Sequence, residues 1–279
     1  MKLQDEIKAH LANYKTTHFK GLGDGIWKGN KKSYPHILPE KKWFDNLLPK
    51  YKIELKDYIE NKKEFKLHSD FHHLNSSQAM CLNMFYPLLK EKKLDLIIEA
   101  LGIENDSVNY NSVCFEKKSE IETKMGSRPT YFDFFFSTIN GKQIYFEIKY
   151  TEQEFGKAKQ DKEHIDKYEF VYKKECSAIE PKYSDCNSFL SNYQLMRNLI
   201  NIKDNSYVVF LFPTKNKRIN KQAEFAKSNL IKSGFKQNII NLTWEHLLGF
   251  IDSINLYSDK LGAHMVDFKE KYRIDPIRY

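Results

Sequence analysis

The chain has no apolar run approaching the roughly 20 residues needed to cross a bilayer. Its opening, MKLQDEIKAHLANYK, is an amphipathic polar pattern without the apolar stretch of a secretory signal. A soluble, cytoplasmic protein with no membrane partner is expected. Cysteine is scarce and unpatterned. Cys81, Cys114, Cys176 and Cys186 make no CxxC pair and have no histidine at zinc spacing, which leaves reduced structural thiols, or a metal clip from Cys176 and Cys186. The GLGDG run at 21–25 lacks a Walker lysine followed by Ser or Thr and follows no strand, so it is not a nucleotide cradle. His68, His72 and His73 have no cysteine at ligand spacing, and adjacent His72 and His73 diverge on any regular element, so capping and loop roles are expected. There is no internal repeat and no long linker.

What is present is enough for one large globular domain: 279 residues, 41% of them hydrophobic. Lysine and arginine (45) outnumber aspartate and glutamate (37), giving +8. That excess fits a polyanionic partner, because counterion release drives such binding. A lysine-, asparagine- and isoleucine-rich composition from an AT-rich genome would give it too.

The stretch that carries chemistry is FDFFFSTINGKQIYFEIKY, residues 132–150. Residues 131–137 and 142–150 are dense in aromatic and β-branched side chains, and Asn140-Gly141 between them is a hairpin signal. Alternation puts Phe132, Phe134 and Phe136 on one face with Ile144, Phe146 and Ile148, a core face. The other face presents Asp133, Glu147 and Lys149. A two-residue Asn-Gly loop would set Asp133 opposite Ile148. A three-residue loop, Ile139-Asn140-Gly141 with Gly141 left-handed, sets it opposite Glu147, and this register is predicted. The two carboxylates then stand about 5 Å apart at Cβ, a spacing that suits a shared hard cation, Mg²⁺ or Mn²⁺. Lys149 adds a positive charge on the same face. A cation that activates water and a lysine that orients it together suit phosphodiester hydrolysis.

Asp-(x13)-Glu-Ile-Lys on a hairpin resembles the PD-(D/E)XK nuclease superfamily, with Phe132 where the motif name has proline. With SSQAMCLNMF upstream and YQLMRN downstream of the EIKYTE strand, the chain resembles a bacterial branch of restriction endonucleases over roughly residues 20 to 245. The resemblance implies an α/β, restriction endonuclease-like core: a mixed sheet of four or five strands flanked by helices. It would occupy 71–257, with a helical or irregular extension at 1–70 and a C-terminal helix at 258–279. It implies a Mg²⁺-dependent endonuclease acting on double-stranded DNA in restriction or antiphage defence, and a homodimer if both strands are cut symmetrically. Asp133, Glu147 and the Ile148 carbonyl would hold the metal, and Lys149 would orient the water. A binding module that does not cut, or an RNA or repair nuclease on the same fold, are the alternatives.

The flanks supply auxiliary candidates. Asn75 or Ser76 is expected to cap a helix to about Tyr86, with Pro87 restarting it. Gln78 on its core-facing stripe is either an amide near the metal or a satisfied core group. Glu116, near the end of a strand expected over 108–116, is either a third acidic ligand or a solvated charge. Arg128 is placed to bind phosphate. GKAKQDKEHIDK, residues 156–167 in the charged run to Lys174, reads as a DNA-contacting insert or a solvated helix. A helix is expected over 185–202, where Tyr193, Gln194 and Arg197 are polar handles and the first two could touch the site. A parallel strand then follows at 206–212. Trp27, Tyr34 and His36, among lysines, either pack an N-terminal arm or face a nucleic-acid backbone.

Overall fold

Gly25 opens the first strand where no other residue fits: a Cβ there would stand 2.0 Å from the Leu38 carbonyl oxygen, so only glycine lets the backbone lie against that residue. The computed structural model describes residues 2–62, 65–122, 129–254 and 258–277. The chain forms two compact units, Met1–Ile103 with Thr243–Tyr279, and Glu104–Leu242.

In the first unit, α1 (Leu3–His18) buries Ile7, Leu11 and Tyr14. A short antiparallel hairpin follows, β1 (Gly25–Trp27) and β2 (Lys32–Tyr34), where the sequence suggests only an irregular basic segment. Three-residue strands are too short for an alternation signal. Two 3-10 turns lead into α2 (Lys52–Asn61). Next comes α3 (Ser77–Lys90), whose N-cap Ser76 accepts from the Ala79 amide at 3.3 Å. Pro87 lies inside α3 and does not restart it. Its missing N–H leaves the Asn83 carbonyl without a helical donor, and His264 Nε2, 2.6 Å away, occupies that place. A short helix, α4 (Asp95–Ala100), completes this stretch.

The second unit holds β3 (Val108–Lys118), β4 (Tyr131–Thr138), β5 (Gln143–Ile148), α5 (Lys162–Lys167), α6 (Cys186–Ser191), α7 (Tyr193–Leu199), β6 (Ser206–Phe212), α8 (Lys217–Phe225) and β7 (Ile239–Thr243). The chain then returns to the first unit through α9 (Trp244–Ile254) and α10 (Asp259–Tyr272). The strands form one five-stranded mixed sheet in the order β3-β4-β5-β6-β7, antiparallel through β5 and parallel between β5 and β6. This is the expected α/β mixed sheet.

The hairpin register is the predicted one. Phe134 pairs with Phe146, Phe135 with Tyr145 and Phe136 with Ile144, so the next step sets Asp133 opposite Glu147. Gly141 takes φ +81°, and the Thr138 amide donates to the Lys142 carbonyl at 2.8 Å across the three-residue loop.

Two expectations for the sheet and its covering helix need correction. Phe132 does not share a face with Phe134 and Phe136. Its ring packs on Tyr145 (4.7 Å between centroids), as Phe135 does (4.8 Å), whereas Phe134 and Phe136 pack on Phe146. The alternation breaks where Glu116 of β3, facing Asp133 in register, adopts φ +54°. The charged face is covered: α6, α7 and α8 lay Phe189, Leu195, Met196, Ile219 and Ala223 over it, leaving Glu147 and Lys149 only 5% and 7% exposed. Finally, the helix expected over 185–202 is broken at Asn192 (φ −121°, ψ 33°), whose side-chain amide donates back to the Ser188 carbonyl at 3.0 Å.

Candidate active site

The end of β5 carries the site. Successive residues of a strand point to opposite faces, so Glu147 and Lys149 emerge together with Ile148 buried between them. Lys149 Nζ stands 2.7 Å from Glu147 Oε1 and 5.3 Å from the centre of the Phe155 ring. Burial pulls the Lys149 ammonium down, but Glu147, Glu152 and Asp133 outweigh it and hold its pKa above the ordinary lysine value. The ammonium is charged throughout the physiological range.

Asp133 reaches the same place from β4. Its Oδ2 accepts from the Ile148 amide at 2.6 Å. Burial drives the Asp133 carboxyl well above the ordinary carboxylate range, with Glu147 and then Glu116 pushing the same way and Lys149 and the Ile148 amide opposing. Three acids therefore interact across neighbouring strands, and Asp133 keeps its proton to unusually high pH.

α7 holds Glu147 in position. Gln194 Nε2 donates to Oε1 at 2.7 Å, and Asn198 Nδ2, one turn later, donates to Oε2 at 3.2 Å. Gln194 also ties the helix to the loop beyond Lys149, since its Oε1 accepts from the Gly156 amide at 3.0 Å. Asn216 fixes the other side: its Oδ1 caps α8 through the Ile219 amide, and its Nδ2 donates to the Glu152 carbonyl at 2.9 Å. Asn198 and Asn216 are not among the candidates that the sequence suggests. Asn198 has a usable signal, because it lies four residues after Gln194 and shares its face. Asn216 has only its capping position.

The other candidates fall elsewhere. Tyr193 joins a buried cluster in which Glu122 accepts from Arg197 Nε at 3.1 Å, from Tyr172 and from the Thr130 amide, with Lys167 Nζ at 3.3 Å. The Tyr193 hydroxyl lies 3.3 Å from that of Tyr172, and its ring lies 5.0 Å from the Arg197 guanidinium. Burial acts to raise the Glu122 carboxyl, but Arg197, Tyr172 and Thr130 prevail and lower it. Gln78 belongs to the first unit and fastens a loop there, accepting from the His68 amide at 2.8 Å and donating to the Lys66 carbonyl at 3.1 Å. Arg128 lies outside the described residues.

Among the described residues, no group of three or more His, Cys, Asp and Glu side chains is spaced to hold a metal ion. All four cysteines are free thiols, and burial pushes Cys176 up to about 11. The carboxylates at β5 are nevertheless the residues that could hold a hard cation. Asp133 and Glu147 supply two carboxylates, and Asn198 Oδ1 beside them is buried without a hydrogen-bond partner. Mg²⁺ commonly takes one or two protein carboxylates and keeps several waters.

Residues 8–273 match the family model described as restriction endonuclease associating with ARP. No curated protein and no solved structure matches the chain. The chain belongs to this restriction endonuclease family, whose model spans both compact units.

Proposed function

We propose, from membership of this family, that the chain is a metal-dependent endonuclease of PD-(D/E)XK type. It hydrolyses phosphodiester bonds of double-stranded DNA in restriction or another antiphage defence role. The observation that carries the reading is the convergence of the three motif groups: Lys149 Nζ is 2.7 Å from Glu147, and both interact with the Asp133 carboxyl held on the Ile148 amide. That grouping supports a place for a divalent ion and an attacking water.

Asp133, Glu147 and the Ile148 carbonyl would hold Mg²⁺, or Mn²⁺ in its place. When bound, the ion lowers the pKa of a water and neutralises a phosphate oxygen. Lys149, positively charged and buried, orients the nucleophile and offsets negative charge growing on the phosphate. Gln194 and Asn198 keep Glu147 from rotating away, and Glu116 adds a further negative charge beside Asp133.

The test is to incubate the purified chain with unmodified plasmid and phage DNA, in Mg²⁺ or in EDTA, beside Lys149→Ala. Discrete Mg²⁺-dependent fragments that the variant does not produce are expected. Intact DNA throughout would sink this reading and favour a binding module or another nucleic-acid substrate. Paired cuts in both strands would further support a homodimer.

A further inference from the structure

The first unit contains a cavity of about 210 Å³ that the nuclease chemistry does not use, lined by Lys8, Trp27, Tyr34, His36, Asp70 and His73 among others. Its walls are built features. Trp27 and Tyr34 come from adjacent strands of the β1-β2 hairpin and stand edge to face, 6.3 Å between centroids. Gly29 leaves room for the indole, since a Cβ there would lie 2.8 Å from it. Asn30 fixes the Tyr34 hydroxyl by donating to it at 2.6 Å.

The base of the cavity is polar and partly unmet. His73 is 9% exposed, and its Nε2 has no hydrogen-bond partner. Asp70 Oδ1, at 3.6 Å, is too far to serve as one. Burial, assisted by neighbouring positive groups, lowers both His36 and His73 to about 4, with Asp70 opposing at His73 and Asp24 at His36. Both imidazoles are therefore neutral near pH 7, and each offers one donor and one acceptor. Lys31 and Lys32 are exposed on the turn and edge of the same hairpin.

We propose that this cavity binds a nucleobase, with Trp27 and Tyr34 as its aromatic walls and His73 reading its polar edge. The lining of Lys8, Asp70 and two neutral imidazoles sets donors and acceptors side by side, which neither an apolar ligand nor a simple anion would use in full. A heterocycle with adjacent donors and acceptors, carrying phosphate towards basic residues, suits all of these groups. This inference rests on the nucleic-acid reading above. The base could come from a polynucleotide strand, unstacked, or from a free nucleotide.

The test uses the full chain in EDTA, so that binding is read without cleavage. It is titrated calorimetrically with the four deoxynucleoside monophosphates and with short single-stranded and duplex oligonucleotides. Trp27→Ala, at a half-exposed position, is expected to weaken binding on the order of 10-fold to 100-fold. His73→Phe, which keeps a ring but loses the polar edge, is expected to flatten preference among the four bases. Binding of monophosphates identifies a nucleotide site, whereas Trp27-dependent binding of oligonucleotides alone identifies a base taken from a strand. Absence of binding to every probe, or binding unchanged in both Trp27→Ala and Tyr34→Leu, would overturn the proposal. A chain that cleaves plasmid yet binds no base refutes only the cavity; one that binds through Trp27 yet never cleaves refutes only the nuclease.

Discussion

Ionising Asp133 is unfavourable because its carboxylate has left water and faces Glu147 and Glu116. In the unfolded chain it titrates near 3.9, whereas in the native state it keeps its proton to higher pH. Its contribution to stability is complete below the unfolded value and is lost as pH rises through the raised native one. In EDTA, the wild-type chain should therefore lose stability relative to Asp133→Asn as pH climbs from about 4 towards neutrality, and Mg²⁺ should restore it. Urea melts at a series of pH values test this, and a wild-type-to-variant difference that ignores pH would refute it. Glu147 and Lys149 make a different case. Lys149→Ala leaves Glu147 buried without its cation, a change that costs about 3–5 kcal/mol where nothing compensates. Here the amides of Gln194 and Asn198 remain, so a smaller loss is expected. Glu147→Gln keeps the volume while removing the charge, and should reduce Mg²⁺-dependent cleavage on the order of 10²–10³-fold. A circular dichroism melt close to wild type would separate chemistry from folding. Glu147 and Lys149 are legible in the sequence because strand alternation puts them on one face, and Asp133 because one turn sets the register that brings it to them. Glu122 is not, since its partners Arg197 and Lys167 lie 75 and 45 positions away in sequence and nothing local announces them.

Among the elements, α8 is the most informative about how a substrate could be held. Its inward face buries Ile219 and Ala223, while Lys217, Arg218 and Lys221 are exposed. Its N-cap Asn216 is bonded to the Glu152 carbonyl, and its Gln222 accepts from the Phe155 amide at 2.9 Å. The basic face is thus anchored to the segment that leaves Lys149. Changing Lys217, Arg218 and Lys221 to glutamine should weaken DNA binding, and should lower the slope of log affinity against log salt by up to about 3, near 0.9 for each phosphate that is no longer neutralised. Filter binding in EDTA at several salt concentrations would measure it, and an unchanged slope would remove α8 from the interface. Apolar spacing alone starts this helix at 223, after its basic turn, because that signal is weakest where the exposed side chains are lysines. Strands are easier to read. β6 ends where expected, at Phe212, because its run of buried apolar residues is short and bounded by polar turns. The β1-β2 hairpin offers no such run.

At the scale of the whole molecule, the first unit joins the two ends of the chain, which no local pattern can show. Pro87 and His264 illustrate the cause. A proline within a helix reads as a stop unless something else satisfies the carbonyl it abandons, and here that group sits 181 positions away from Asn83. Burial lowers His264 to about 4, so it is neutral near pH 7 and can donate one N–H without a charge penalty. α10 also buries Leu261, Met265, Phe268 and Tyr272, and the Tyr272 hydroxyl accepts from Asn83 Nδ2 at 2.8 Å. His264→Leu keeps apolar contact but leaves the Asn83 carbonyl unpaired, which should cost about 1–3 kcal/mol. Phe268→Ala removes only packing and should cost about 3–5 kcal/mol. If both hold, the pair Pro87→Ala with His264→Leu should recover part of the first loss, because alanine gives Asn83 back its helical donor. Chemical denaturation of the three variants tests this, and a double variant no more stable than His264→Leu would show that the histidine does not stand in for the missing N–H.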